Sequence, residues 1–384
     1  MCVKKDFIIE ECLEGTTWNK SVFLVTIEGR NVVLKVDKLW FENMNGATRF
    51  LQNQTNVFDD YFQQIVDKYL GNNCSNFEIL VSKLLSMADT NGDGLVTLDE
   101  AAMFGSILLN REIFMLAAMN GSNSAITFYG YCGGIYIVER VSTAKSNFID
   151  TSIFPELLLL PDFLGDVETY LQKLMSHPVV LSFYESVYIF YKKLRKESGL
   201  TLEQRVDFVI GMVELMYDLA SFDYGEIFSC DLNLDNFGFS DLSNFSTVKQ
   251  TDFDEVFAAA KVIHKAKEKP CTTDGDCVGV YEDNIHHTEC SSFCKDNGFC
   301  SKKMKKDNLA FLCETIFFHV FFNPVTSALS DKKSLTKTTV TYILKILREC
   351  ERPVLYSSVD EHLISIRKVS NRFRKVRQLI KTHS

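Results

Sequence analysis

Asp231, Asn236 and Asp252 have the types and the spacing to hold a divalent metal and direct a phosphoryl group. Asp231 and Asn236 stand in the stretch Ser229-Cys-Asp-Leu-Asn-Leu-Asp-Asn-Phe-Gly-Phe239, on a loop that follows the apolar run Gly225–Ser229. Asp252 opens Asp-Phe-Asp254, after a strand predicted to end at Val248. A phosphoryl group in flight needs a base or positioner for the incoming hydroxyl, which Asp231 can be. It also needs hard oxygen ligands for Mg²⁺ or Mn²⁺, which Asn236 and Asp252 can supply. An Asp followed five residues later by Asn arises in any Asp-rich loop, so the assignment depends on what lies upstream.

Such a site needs elements that bring nucleotide phosphates over these residues. Residues Ile8–Asp37 alternate and are rich in β-branched side chains, with a turn at Glu28-Gly29-Arg30, and read as an antiparallel strand pair. Gly15 to Val22 has the length of a phosphate-covering glycine loop, G-x-G-x-x-G-x-V, but keeps only Gly15 and Val22. Thr17 and Lys20 stand where glycine would let the backbone approach phosphate. Val32-Val-Leu-Lys35 follows at the distance of a phosphate-binding lysine strand. Taken alone, Lys35 reads as a solvated strand lysine.

Val57–Leu70 and Phe77–Met87 have helical spacing. After them, Asp89-Thr-Asn-Gly-Asp-Gly-Leu-Val-Thr-Leu-Asp-Glu100 fills every position of an EF-hand calcium loop. Asp89, Asn91 and Asp93 offer side-chain oxygens, and Gly94 makes the sharp turn. Leu95 offers its carbonyl, Thr97 ligates directly or through water, and Glu100 closes the shell with two oxygens. The leaving helix is predicted to run unbroken to about Met119, carrying Glu112 and Leu116, and two strands follow at Ile126–Tyr131 and Gly134–Glu139. On one continuous helix, Glu100 would hold calcium while Glu112 braced Lys35 further along.

Beyond a hinge near Glu139-Arg140 the pattern turns helical. Thr201 and Gln204 form a capping box, and Val206, Val209, Val213, Met216 and Ala220 make a core stripe leading into the Asp231 loop. Glu255–Lys269 looks helical and holds no Ser, Thr or Tyr, so that segment offers no phosphorylation switch. Cys271, Cys277, Cys290, Cys294 and Cys300 lie in a Gly-, Asp- and Asn-rich stretch without C-x₂-C pairs, which favours disulfides over zinc. The odd count calls for Cys313, Cys350 or a more distant partner. The basic tail Lys368–Lys381 suits a surface helix, with contact to an acidic membrane as the lesser alternative.

The chain has 384 residues, 46% hydrophobic and 24% charged, enough for two lobes and a large core. A net charge of −9 argues against nucleic acid as a partner. Twelve cysteines point to an oxidising compartment or a metal site, whereas the first residues, MCVKKDFIIEECLEG, hold no apolar run long enough for a signal peptide. Ala310–Phe322, the longest apolar stretch, carries Glu314 and His319 and reads as a buried helix.

A lysine strand, an EF-hand before a Glu-bearing helix, an Asp-Phe-Asp triplet and then a cysteine-rich segment together resemble the divergent protein kinase domain family of cysteine-rich endoplasmic reticulum proteins. The resemblance implies an α+β, two-lobed kinase-like fold. Residues 1–140 would be the small lobe, with the EF-hand inserted at about 76–110, and residues 141–384 a mainly helical large lobe with a cysteine-rich segment at 271–313. It implies ATP, Ca²⁺ and Mg²⁺ or Mn²⁺ as cofactors, and a lumenal place in the secretory pathway. Lys35 would hold nucleotide phosphates together with Gly15 and Val22, Glu112 would brace Lys35, Asp231 would act on the acceptor, and Asn236 and Asp252 would hold metal. Family members have a membrane anchor and further cysteines before the small lobe. This chain is expected to lack both, which would leave Cys2 without its partner. Asn233 in place of a lysine, Asp254 in place of a glycine and the depleted glycine loop depart from the kinase pattern. Two functions follow: a calcium-regulated kinase whose acceptor is a protein, glycan or small molecule, or a pseudokinase that binds calcium and nucleotide as a scaffold.

Overall fold

A computed structural model describes residues 7–12, 20–52, 58–71, 74–144, 201–241, 243–261, 269–277, 290–322, 337–352 and 358–383. Cys2, Gly15, Thr17, His286 and His287 lie outside the described residues.

Strands β2 (Lys20–Ile27) and β3 (Arg30–Asp37) are built from Val, Ile, Leu, Phe and Thr, residues suited to a pleated, half-buried surface. A two-residue turn joins them, with Glu28 at φ 50° and Gly29 at φ 77°. Two left-handed residues make the turn whose twist matches that of the strands, and glycine takes the second position without steric cost. The register that follows sets Val22 opposite Lys35 and Lys20 opposite Asp37. Strand β1 (Phe7–Cys12) adds to the outer side of β2, so the expected pair is a three-stranded run. With β4 (Phe128–Cys132) and β5 (Ile135–Glu139) the sheet is antiparallel in the order β1-β2-β3-β5-β4.

Helices α1 (Trp40–Gln52), α2 (Phe58–Tyr69), α3 (Phe77–Ala88), α4 (Leu98–Leu108) and α5 (Arg111–Ala118) come between β3 and β4. Phe62 on α2 and Phe104 on α4 are fully buried, and Phe104 stacks on Tyr131 of β4 at 4.8 Å. The helix expected to run unbroken to Met119 is two helices, bent by 109° between α4 and α5. Asn110 is the cause: it takes extended backbone angles, and its side chain accepts a hydrogen bond from the Glu112 N–H, capping α5. Asparagine is a favoured N-cap and a poor interior residue, so the chain breaks there. Glu100 and Glu112 therefore stand on different helix axes.

Most of the described residues that follow are helical. The Thr201–Gln204 capping box forms as expected and opens α6 (Leu202–Ala220), whose Val206, Val209, Val213, Met216 and Ala220 are buried. Helix α7 (Lys337–Cys350) and the long α8 (Val359–His383) follow, α8 packing along α6 through buried Phe373, Val376 and Ile380. Flanking this apolar contact, Arg374 reaches Glu214 at 2.5 Å, Arg377 reaches Asp207 at 2.8 Å and Lys381 reaches Glu203 at 3.0 Å on α6. Among the described residues no single helix is long and apolar enough to cross a membrane.

Short strands hold the chemical residues. Strand β7 (Ile227–Ser229) pairs with β10 (Val256–Ala258), and β6 (Ser142–Thr143), β8 (Phe237–Phe239) and β9 (Val248–Gln250) form a second small sheet. The strand expected to end at Val248 begins there. The segment from Glu255, expected to be helical, opens as β10, because Val256, Phe257 and Ala258 are all buried and pair with β7. Among the described residues that follow, disulfides join Cys230 to Cys290, Cys271 to Cys294, Cys277 to Cys300 and Cys313 to Cys350. Cys230 is the distant partner that the odd count required. The sulfurs of Cys271, Cys277 and Cys300 lie close together, but all three are in disulfides and have no thiolate to offer zinc.

Candidate active site

Lys35 and Tyr136 are paired across β3 and β5 and face the same side of the sheet. Glu112, in the first turn of α5, meets them there with no exposed surface. One of its oxygens accepts from the Lys35 ammonium, and the other accepts from Lys20 Nζ at 3.0 Å and from the Tyr136 hydroxyl at 2.8 Å. Burial alone would push the Glu112 carboxyl up, but the two ammonium groups hold it down at about 2. An isolated carboxylate at that depth would cost several kcal/mol, so the charge persists only because each oxygen is answered. The two residues expected to brace each other across the chain are therefore in contact, and Lys35 also reaches the Thr251 carbonyl at 3.5 Å, beside Asp252.

Strand β7 delivers the loop that carries Asp231. That loop is fixed at its start by the Cys230–Cys290 disulfide and by the Cys230 N–H donating to the Glu255 carbonyl at 2.8 Å. Asn236 closes a 3₁₀ turn over Leu234–Asn236, and its amide donates to the Asp231 carboxylate at 2.7 Å and to the Asp231 carbonyl at 2.9 Å. Since the amide nitrogen faces Asp231, the side-chain oxygen, which is the atom a metal needs, remains for another partner. Asn233 donates to the other Asp231 oxygen at 2.6 Å. The Thr251 N–H donates to the Asn236 carbonyl at 2.9 Å, which ties the Asp231 loop to the Asp252 triplet.

Asp252 and Asp254 approach Glu112 so closely that one oxygen from each of the three carboxylates lies within 4.8 Å of the others. Lys20 Nζ stands among them, 2.7 Å from Asp254, 3.0 Å from Glu112 and 3.4 Å from both oxygens of Asp252. Burial opposes the Lys20 charge, but the carboxylates of Glu112, Asp252 and Asp254 outweigh it and raise this lysine above the ordinary range. Burial and the carboxylates of Glu112 and Asp252 push Asp254 upward, against the pull of Lys20. Arg111 donates to the Asp254 carbonyl at 2.9 Å and stacks on Phe257 at 4.1 Å, fixing α5 against the triplet. Oxygen donors around a point that already holds a cationic group suit a hard divalent cation.

Lys20, a misfit in a glycine loop, and Asp254, a misfit in the triplet, both join the cluster around Glu112. The signal for Lys20 was present. Counting back from the two-residue turn at Glu28-Gly29 puts Val22 opposite Lys35, and Lys20, two residues from Val22, projects to the same face. Val22 stands on β2 opposite Lys35, and Gly15 lies outside the described residues.

The loop between α3 and α4 forms a separate cluster. Asp89 accepts from the N–H groups of Gly92 and Gly94, each at 2.8 Å, and Gly94 turns the chain at φ 81°. Asn91 accepts from the Asp93 N–H and Asp93 from the Leu95 N–H, both at 2.8 Å. Glu100 accepts from the Thr90 hydroxyl at 2.7 Å and the Thr97 hydroxyl at 2.9 Å, and these bonds hold its carboxyl down at about 2. Thr97 and Glu100 also form the capping box that starts α4. The donors are all oxygen and follow one another around a tight glycine turn, which fits Ca²⁺.

A family model described as the protein-kinase domain of FAM69 matches residues 105–353. Glu112, Asp231, Asn236 and Asp252 fall within the match. The strands carrying Lys20 and Lys35 and the Asp89–Glu100 loop precede it.

Proposed function

This chain belongs to the FAM69 protein-kinase-domain family, and we propose that it transfers the γ-phosphoryl group of metal-bound ATP to a hydroxyl acceptor. The carrying observation is the buried Glu112, which accepts from Lys35 while the Asp231–Asn236 loop is tied to the Asp252 triplet beside it. In this reading the sheet and helices α1–α5 are the small lobe, the helices from α6 onward belong to the large lobe, and nucleotide lies between them. Lys35 orients the phosphates and Glu112 keeps Lys35 in place. Asp231 accepts the proton of the incoming hydroxyl and aligns its oxygen. Asn236 and Asp252 hold Mg²⁺ or Mn²⁺, which supplies neutralising charge for the transferring group when bound.

Calcium is assigned to the loop of Asp89, Asn91, Asp93, Leu95, Thr97 and Glu100, on the strength of its complete oxygen set. The disulfides support work in an oxidising compartment, the lumen of the secretory pathway. The test is ATP consumption by purified protein with Mg²⁺ or Mn²⁺, beside Asp252→Ala. The expected result is metal-dependent consumption that the substitution abolishes. Metal-dependent ATP binding with no consumption under any condition would instead identify a scaffold.

A further inference from the structure

We propose that Lys20 is a second phosphate-binding lysine: in the cleft without nucleotide its ammonium fills the cation position among Glu112, Asp252 and Asp254, and it yields that position to divalent metal and turns to the nucleotide phosphates. The inference rests on the nucleotide reading of the cleft and adds a residue that this reading did not need.

Three observations carry it. First, the hairpin register forces Lys20, Val22 and Lys35 onto one face of the sheet, so both lysines enter the same cleft. Lys20 is the first residue of β2, at the end of the stretch whose length matches a phosphate-covering loop. A lysine there carries its donors into the space that a glycine would leave to the phosphates. Second, Lys20 contacts three carboxylates at once, and it sits 3.4 Å from both oxygens of Asp252. A divalent ion ligated by Asp252 would stand within a few ångströms of that ammonium, and two cations so close repel strongly in a buried site. One must leave, and the four-carbon lysine stem allows it. Third, among the described residues these three carboxylates meet the ammonium groups of Lys20 and Lys35, a surplus of one negative charge within this set of five. A divalent ion would relieve that surplus of negative charge and free Lys20 to answer the anionic phosphates that arrive with it.

A lysine that only neutralises surplus carboxylates predicts something else, and binding measurements on the full chain separate the two. Calorimetry is run with Mn²⁺ alone, with Mn²⁺ and ATP, and with adenosine, on the parent, Lys20→Met, Lys20→Arg and Lys35→Met. Losing one charge-assisted contact to phosphate should weaken Mn²⁺–ATP binding by about 10- to 100-fold in Lys20→Met. Adenosine affinity should not change, Mn²⁺ alone should bind more tightly because its competitor is gone, and Lys20→Arg should recover part of the ATP affinity. Unchanged Mn²⁺–ATP affinity in Lys20→Met, or weaker binding of Mn²⁺ alone, overturns the proposal. Should Lys20→Met fail to fold by circular dichroism, the Lys20→Met, Asp254→Asn double variant is compared with Asp254→Asn alone, with the same loss of ATP affinity expected and its absence overturning the idea. Failure of the underlying reading looks different: the parent then binds no Mn²⁺–ATP, or Lys35→Met binds it as the parent does.

Discussion

Glu112 is fully buried, and what it does to stability follows from its three partners. Removing the carboxylate by Glu112→Ala takes from the buried Lys35 the carboxylate that answers its charge and leaves Lys20 to Asp252 and Asp254. Breaking a buried pair in this way costs about 3–5 kcal/mol, which chemical denaturation of the variant would read directly. The same group gives the protein an acid limit. Its folded value of about 2 lies below the unfolded value of about 4.3, so its contribution is complete above the unfolded value. That contribution is lost as the pH falls towards the folded one. Glu112→Gln should therefore be less stable near neutrality and lose less of its stability on acidification. Equal acid sensitivity in parent and variant would mean that Glu112 carries no charge in the fold. The partnership of Lys35 with Glu112 was legible in the sequence because each stands in a local pattern. Lys20 was not, because its meaning lies in the register of two strands rather than in any motif.

The elements around the Asp89–Glu100 loop show a similar limit. The Asp89–Glu100 pattern is local, and α3, the loop and α4 form where spacing places them. The break at Asn110 was hidden because Leu98–Ala118 is apolar at helical spacing almost throughout, and one capping side chain decides where the axis turns. The consequence is functional. With Glu100 and Glu112 on different axes, calcium held at Glu100, as proposed, would have to reach Glu112 through packing between α3, α4 and α5 and not along one rigid helix. The direct expectation is stabilisation by mass action, about 2.7 kcal/mol at 100 times the dissociation constant. A thermal melt should shift upward with calcium in the parent, and Glu100→Gln, which removes a charged ligand, should reduce the shift. A shift of the same size in the variant would place the calcium elsewhere.

Across the whole molecule, the composition, the mixed α and β content and the disulfide habit of the cysteines could be read before the fold. The pairing could not, because the bond of Cys230 to Cys290 spans 60 residues and forms inside a buried cluster that also takes in Phe257 of β10. That bond fixes Cys230 immediately before Asp231, so the chemistry attributed to Asp231 rests on the large-scale fold as much as on its own loop. The central claim is that this cleft transfers phosphoryl groups as well as binding nucleotide, and Asp231→Asn separates the two. The variant keeps the shape and removes the proton acceptor. It should bind Mn²⁺–ATP as the parent does, while ATP consumption falls by about 10²- to 10⁴-fold, the usual worth of a general base. A parent that binds Mn²⁺–ATP and never consumes it, or an Asp231→Asn variant that consumes it as fast as the parent, would contradict the account.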